Sequence, residues 1–130
     1  MNRQKPSAED WLSEAKTAEN ADLCGMYLLH NGTVRRTARS AVREGADDTS
    51  PVTGMIFDYD AEKVEKAVAE TEALPGIYHV RVWLNRGSLE PGDDIMQVLI
   101  GGDIRPRVMD ALDHLVGAIK SRCVTEQEIF

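Results

Sequence analysis

The sequence predicts an α+β domain with a mainly antiparallel sheet and covering helices. A strand, a turn, a strand and a helix can be traced without interruption through residues 80–120. The predicted elements follow the order α-β-(loop)-β-α-β-β-α, which lacks the regular β-α-β alternation of a parallel sheet. The sequence also contains no internal repeat. Strands in such an order pair mostly antiparallel, and the helices cover the sheet.

The centre of the predicted sheet lies between residues 80 and 102. Apolar and polar residues alternate over 80–85, the period of two that a half-buried strand requires. Proline and glycine within 91–94 predict a turn. Residues 95–100 are apolar on both faces and therefore predict a central strand. We expect Gly101-Gly102 to end this strand.

Three helices and two earlier strands complete the predicted fold. Each helix has apolar residues at helical spacing and a polar residue that can cap its first turn. The helices begin after Ser7 (to about Asn20), after Asp60, and after Asp103 (to about Lys120). One strand is predicted at 24–29, stopped by Asn31-Gly32, and another at 52–59.

The length of the chain predicts a single domain, residues 1–130. Within it, residues 35–51 form a polar connection with arginines in the first half and acidic residues in the second. A polar connection of this length is uncommon unless it is functional or mobile, and we expect this loop to be mobile. A solvated loop and a loop that orders over an anionic ligand both fit its sequence.

The composition excludes several classes of protein. The net charge of −7 argues against nucleic-acid binding, which depends on neutralising phosphates. No apolar run is long enough to span a bilayer, and the N-terminus lacks the apolar core of a signal peptide. We therefore expect a cytoplasmic protein that does not act on membranes. Cys24 and Cys123 are expected to be reduced, inert thiols.

The candidate chemistry of the sequence is cationic. The three histidines are dispersed without ligand spacing, so we expect neither a metal site nor a bound cofactor. No nucleophile motif is present either. Basic residues instead follow the first strand and flank the last helix, and they could line an anion pocket if these elements converge. They are Arg35, Arg36, Arg105, Arg107 and Lys120.

Two stretches resemble the large (catalytic) subunit of molybdopterin synthase, so that the chain looks like a diverged MoaE-like protein. Residues 25–35, GMYLLHNGTVR, resemble the strand that ends in a Phe-x-Gly-x-Val-Arg motif in that family. Residues 80–122 follow the family without an insertion, through a Gly-x-Leu-x-Pro-Gly-Asp turn and a Leu-Lys helix end. The resemblance begins at about Ala21 and implies the α/β hammerhead fold of that subunit.

The resemblance also implies a function in molybdenum cofactor biosynthesis. The family makes the dithiolene of molybdopterin from cyclic pyranopterin monophosphate. Sulfur comes from the thiocarboxylated C-terminal Gly-Gly of a small ubiquitin-like carrier subunit, whose tail enters a pocket of the large subunit. The large subunit of that family is usually a homodimer. Substrate phosphate and carrier carboxylate are both anions, which agrees with a cationic pocket.

The site residues implied by the resemblance are only partly retained. Arg35, Arg105 and Lys120 match basic positions of the family site. The histidine that precedes the helix arginine is replaced by Ile104, and the second active-site lysine by Gln127. The His-Arg pair before the hairpin turn is also missing, although a small shift would let Arg86 substitute for it. Two interpretations stay open: an active sulfurtransferase, or a catalytically impaired relative that binds a pterin, another anion or a partner.

Overall fold

The computed structural model describes residues 3–39 and 50–130. The described residues form two three-stranded antiparallel sheets and three α-helices, which confirms the predicted α+β class. The helices are α1 (Ala8–Lys16), α2 (Ala61–Glu72) and α3 (Arg105–Ala118). The strands are β1 (Met26–Thr33), β2 (Gly54–Tyr59), β3 (Ile77–Leu84), β4 (Gly87–Leu89), β5 (Asp94–Gly102) and β6 (Val124–Ile129). Most of the predicted mobile loop 35–51 lies outside the described residues.

The first sheet has the strand order β1-β5-β3. Ile100 of the central strand pairs with Leu28 on one side and with Val80 on the other. Residues 95–102 of β5 are all buried, which confirms the central position predicted from its apolar faces. The predicted turn before β5 is also present: the Asp93 N–H donates to the Glu90 carbonyl at 2.9 Å, and Gly92 has a φ of +93°.

Glycines at 101 and 102 continue the central strand, so the prediction that they end it is wrong. Both pair with β1, and the strand ends only after Gly102. Their lack of a side chain serves packing instead. A Cβ at Gly101 would lie 2.7 Å from the ring of Tyr27, and one at Gly102 would lie 2.7 Å from a methyl group of Val108. The neighbouring ring and the helix could not approach β5 this closely if either residue carried a side chain.

Strand β1 also runs further than the sequence indicates, because Asn31-Gly32 does not stop it. Both residues pair with β5. The Asn31 side-chain amide donates to the Met96 carbonyl at 3.0 Å and to the Asp94 carboxylate at 3.1 Å. An asparagine that bonds across the ladder stabilises the strand instead of starting a turn.

Two helix ends differ from the prediction. Ser7 caps α1 as expected, since its hydroxyl accepts the Asp10 N–H at 3.2 Å. However, α1 ends at Lys16 and not near Asn20, whose φ of +67° is incompatible with a continuing helix. Asp103 is not the cap of α3: the N-cap position belongs to Ile104, and Asp103 accepts its N–H at 2.7 Å.

The second sheet has the order β4-β2-β6, and the sequence predicted only its central strand. β4 has three residues, too few to show a period. In β6 the residues that face inward are Val124, Glu126 and Glu128, so its inner face is mostly charged. A strand with this pattern lacks the apolar alternation by which strands are recognised.

The main core lies between the helix-covered face of the first sheet and the second sheet. Val108, Ala111 and Leu115 of α3 pack there with Val98 of β5 and Phe57 of β2. Trp11 and Ala15 of α1 form a smaller cluster on the opposite face of the first sheet. After α3 the chain makes a π-helical turn, Ile119–Cys123, and enters β6 directly. No helix in the described part of the chain is long and apolar enough to cross a membrane.

Candidate functional site

A cavity opens beside the C-terminal end of α3. Its volume is about 190 Å³. Three basic and two acidic side chains line it, together with one hydroxyl and two apolar side chains. They are Arg35, Arg39, Lys120, Glu126, Glu128, Thr33, Met55 and Ile95. The lining therefore carries a small excess of positive charge in a chain whose net charge is −7.

Lys120 reaches the cavity from the π-helical turn. Ile119 and Cys123 of this turn are buried in the main core, and the Ser121 hydroxyl donates to the Gly117 carbonyl at 2.8 Å. These contacts fix the backbone on both sides of Lys120, whose own side chain is exposed. Single π-helical turns occur frequently at functional sites, because they turn side chains away from the regular helical spacing.

Arg35 reaches the same cavity from the end of β1. Val34 is buried, its N–H donates to the Asp93 carbonyl at 2.9 Å, and its carbonyl accepts the Gly92 N–H at 2.8 Å. The end of β1 is thus attached to the turn before β5, and the following arginine is held at the cavity. Among the described residues, neither Arg35 nor Lys120 has a side-chain hydrogen bond or ion pair. Their positive charges are available to a ligand.

Strand β6 contributes two carboxylates that the sequence did not indicate as site residues. Glu126 lies opposite Phe57 and Glu128 opposite Met55, so both face inward and line the cavity. The backbone N–H of Arg39 donates to the Glu128 carboxylate at 3.1 Å. Gln127, the position that the resemblance aligned with a second lysine, is exposed on the other face of β6. The side chains that β6 presents to the cavity are therefore acidic.

Two predicted site arginines lie elsewhere. Arg86 donates to the Asp58 carboxylate at 2.6 Å and to the Tyr59 carbonyl at 2.8 Å, and its guanidinium lies over the Tyr59 ring. The hydrogen bond from Arg86 holds the pKa of Asp58 below its usual range. Arg86 thus joins β4 to the far end of β2. Arg36 is exposed beside the cavity but does not line it.

The arginines that open α3 are far from the cavity of the same chain. Arg107 donates to the Asp103 carboxylate at 2.8 Å, while Arg105 is exposed and has no partner among the described residues. At about 1.5 Å of rise per residue, the helix separates Arg105 from Lys120 by roughly 22 Å. One chain therefore brings together Arg35 and Lys120, but not Arg105 and Arg107.

His30 of β1 is a titratable residue that sequence reasoning did not connect with the basic residues, and it is not among the residues that line the cavity. It is half-buried, and burial followed by the positive charge of Lys120 lowers the pKa of its imidazole below the ordinary value. The sequence held one signal: His30 occupies the first position of the Phe-x-Gly-x-Val-Arg pattern, where an aromatic side chain is expected. His79 also has a lowered pKa, chiefly through burial, and it does not line this cavity either.

Comparison with known families gives one decisive match. The family model described as "MoaE protein" matches residues 3–122. The chain belongs to the MoaE family. This membership places it in molybdenum cofactor biosynthesis and confirms the family resemblance of the sequence. Comparison with curated protein sequences gives no match.

Solved structures similar to this MoaE-family chain share its fold at low sequence identity. Molybdopterin synthase from Staphylococcus aureus superimposes with a TM-score of 0.72 at 15% identity, covering 97% of this chain and 87% of that chain. The molybdopterin biosynthesis MoaE protein from Burkholderia ambifaria gives 0.71 at 17% identity, covering 97% and 84%. A complex of subunits 1 and 2 of the molybdopterin-converting factor from Helicobacter pylori gives 0.61 at 18% identity, covering 95% and 84%. The fold is therefore that of the molybdopterin synthase large subunit.

The described residues of this MoaE-family protein offer little other chemistry. Among residues 3–39 and 50–130, no group of three or more histidine, cysteine or acidic side chains is placed to hold a metal ion. Cys123 is buried, its thiol donates to the Ala118 carbonyl at 3.6 Å, and burial raises its pKa. A thiol in this setting is a poor nucleophile.

Proposed function

We propose that this protein is the catalytic subunit of a molybdopterin synthase and transfers sulfur to cyclic pyranopterin monophosphate. The single observation that carries the proposal is the meeting of Arg35 and Lys120, neither of them paired with another described residue, at one cavity of a MoaE-family chain. Two cations from different elements can hold the phosphate of the substrate or the carboxyl terminus of a carrier. Lys120 is the residue to which we assign the closest contact with the reacting groups.

A small carrier subunit is the partner that fits this role. The similar Helicobacter pylori structure is a complex of two subunits of the converting factor, which supports a small-subunit partner for this chain. The cavity of about 190 Å³ is also smaller than the roughly 300–1,000 Å³ of pockets that enclose a small-molecule ligand. We infer that a ubiquitin-like carrier with a C-terminal Gly-Gly inserts its tail here and completes the walls around the pterin.

A homodimer is the second assembly that we propose. Arg105 lies roughly 22 Å along α3 from the Lys120 of its own chain, so it can act at this site only from another copy. The start of α3 also exposes Ile104 and Met109, at 52% and 47% of their surface, and apolar side chains of this kind suit a protein contact. Like the dimer, the cytoplasmic location stays a prediction.

A specific observation favours a second candidate function. Glu126 and Glu128 place two negative charges at the cavity, and Ile104 cannot exchange a proton. Carboxylates beside an anion weaken its binding, and the loss of one general acid or base costs about 10²–10⁴ in rate. The alternative is therefore a catalytically impaired relative that binds a pterin or a partner without turning the substrate over.

Molybdopterin formation separates the two candidates. The purified protein is given cyclic pyranopterin monophosphate and a thiocarboxylated carrier, and the product is measured together with the binding of each component. Product formation that is lost in Lys120→Ala supports the synthase. Binding of pterin or carrier without any product supports the impaired relative. If neither component binds, both candidate functions are wrong and only the fold relationship stands.

A further inference from the structure

The lining of the cavity includes a carboxylate to which the proposed function gives no role. Glu126 of β6 lines the cavity together with Arg35 and Lys120. It pairs with Phe57 of β2, which is completely buried in the main core. Residues directly opposite on paired strands point to the same face of the sheet, so the Glu126 side chain is directed inward. Glu126 is accordingly half-buried, although it is charged.

The two glutamates of the cavity differ in what they already bind. The Glu128 carboxylate accepts the Arg39 backbone N–H at 3.1 Å, so one of its oxygens is occupied. Among the described residues, Glu126 has neither a hydrogen bond nor an ion pair. A charged group that is partly removed from water is costly unless a partner compensates it. Both oxygens of Glu126 are therefore available to a ligand that donates two hydrogen bonds.

Cations and a free carboxylate in one cavity suit a ligand whose two ends differ in chemistry. A simple anion is attracted by Arg35 and Lys120 but repelled by Glu126. An ionised carboxylate only accepts hydrogen bonds, and two parallel N–H donors on neighbouring atoms match its two oxygens. A pterin offers such a pair of donors, the 2-amino group and the N3–H of its pyrimidinone ring. A pterin phosphate therefore suits the basic and the acidic part of the lining together.

We propose that Glu126 is the residue by which this protein recognises the pterin ring. Its carboxylate accepts hydrogen bonds from the 2-amino group and from N3–H, while Arg35 and Lys120 hold the phosphate. The inference rests on the proposed function and adds to it the contact that selects the ring. Glu126 takes no part in the transfer of sulfur. It determines which ring system binds, because a ring without the pair of donors leaves the carboxylate half-buried and unsatisfied.

A matched pair of ligands tests the inference. Neopterin monophosphate carries the 2-amino group, whereas the corresponding lumazine monophosphate has a carbonyl oxygen in that place and the same phosphate. In the lumazine an acceptor would face the Glu126 carboxylate where a donor is needed. We expect the native full chain to bind the pterin ligand about 10–100-fold more tightly than the lumazine ligand, the discrimination typical of a paired hydrogen bond. Isothermal titration calorimetry measures both dissociation constants.

Glu126→Gln keeps the size of the side chain and replaces one acceptor oxygen by an amino group that donates. Its preference for the pterin ligand should fall to within about threefold, while its affinity for sulfate should increase because a negative charge has left the cavity. Glu128→Gln is the matched control: it removes the same charge from the same cavity, so sulfate should again bind more tightly, but the preference for the pterin should stay. Thermal unfolding verifies that each variant is folded.

Two outcomes would overturn the role of Glu126. One is a native protein that binds the two ligands equally well, or binds neither. The other is a preference for the pterin that is the same in Glu126→Gln as in the native protein, or that is lost equally in Glu126→Gln and Glu128→Gln. The molybdopterin assay decides the proposed function separately. A protein that forms product but does not distinguish pterin from lumazine keeps that function and loses only this inference.

Discussion

The two ends of α3 carry the same kind of side chain in opposite settings. At the N-terminal end, Arg107 is paired with Asp103 and Arg105 is exposed on an open surface. At the C-terminal end, Lys120 meets Arg35 at a cavity, and neither has a described partner. A cation that is already paired with a carboxylate of its own chain attracts an anionic ligand less strongly. Whether a cation is already paired and whether it lines a cavity therefore distinguish a candidate site from an ordinary charged surface, and the number of cations does not.

The largest expected effect contrasts one residue from each end. Lys120→Ala should lower molybdopterin formation by about 10²–10³-fold, because it removes a cation that no other described residue can replace at the same place. Arg107→Ala is the matched control: it breaks only an exposed pair with Asp103, and the rate should stay within about twofold. Equal losses in the two variants would mean that the ends of α3 are not functionally different.

The contrast between the two ends could be predicted only in part from the sequence. The apolar patterns of β5, α2 and α3 predicted these elements, and the family resemblance pointed to Arg35 and Lys120. Asp103 lies four residues before Arg107, a spacing at which opposite charges pair at a helix, so this ion pair could have been predicted. The meeting of Lys120 with Arg35 could not, because it depends on how the end of β1 packs beside the π-helical turn.

The glutamates of the cavity were missed for a related reason. The inner face of β6 carries Glu126 and Glu128, and this charge hides both the strand and its contribution to the site. The alignment with the family placed the departure at Gln127, but alternation along the strand turns that side chain away from the cavity. A single residue of a family motif can be assigned to a position in this chain only when it is known which face of the strand that position occupies.

The next prediction tests whether the two ends act together in a dimer. Arg105→Ala and Lys120→Ala should each be nearly inactive alone if a second copy supplies Arg105 to the cavity. When the two variants are mixed after reversible dissociation, half of the dimers contain one chain of each kind, and each of these has one intact site out of two. Activity should return to about a quarter of the native value.

A mixture that stays inactive would contradict a site shared between two chains. It would mean that Arg105 and Lys120 are needed on the same chain or that no such dimer forms. Sedimentation of the native protein distinguishes these two cases. Arg105→Ala with full activity would remove Arg105 from the site altogether, and the N-terminal end of α3 would be only a surface.

A smaller effect is expected at the acidic wall of the cavity. Glu128→Gln removes a negative charge near the bound anion and keeps the shape of the side chain, so sulfate should bind about two- to tenfold more tightly at low ionic strength. Glu9→Gln is the control, because Glu9 lies on α1 at the opposite face of the first sheet. An unchanged sulfate affinity in Glu128→Gln would show that the carboxylate does not act on the anion.

The smallest effect concerns stability in acid, and it involves the two half-buried histidines, His30 and His79. Both have pKa values lowered mainly by burial, so the unfolded chain binds protons more readily than the native protein. Their contribution to stability is complete above the ordinary pKa of about 6.5 and is lost as the pH falls through the lowered values. The melting temperature should therefore decrease below about pH 6.5, and less so in His30→Phe or His79→Gln than in the native protein. A melting temperature that decreases with pH equally in the native protein and in both variants would mean that neither imidazole is responsible.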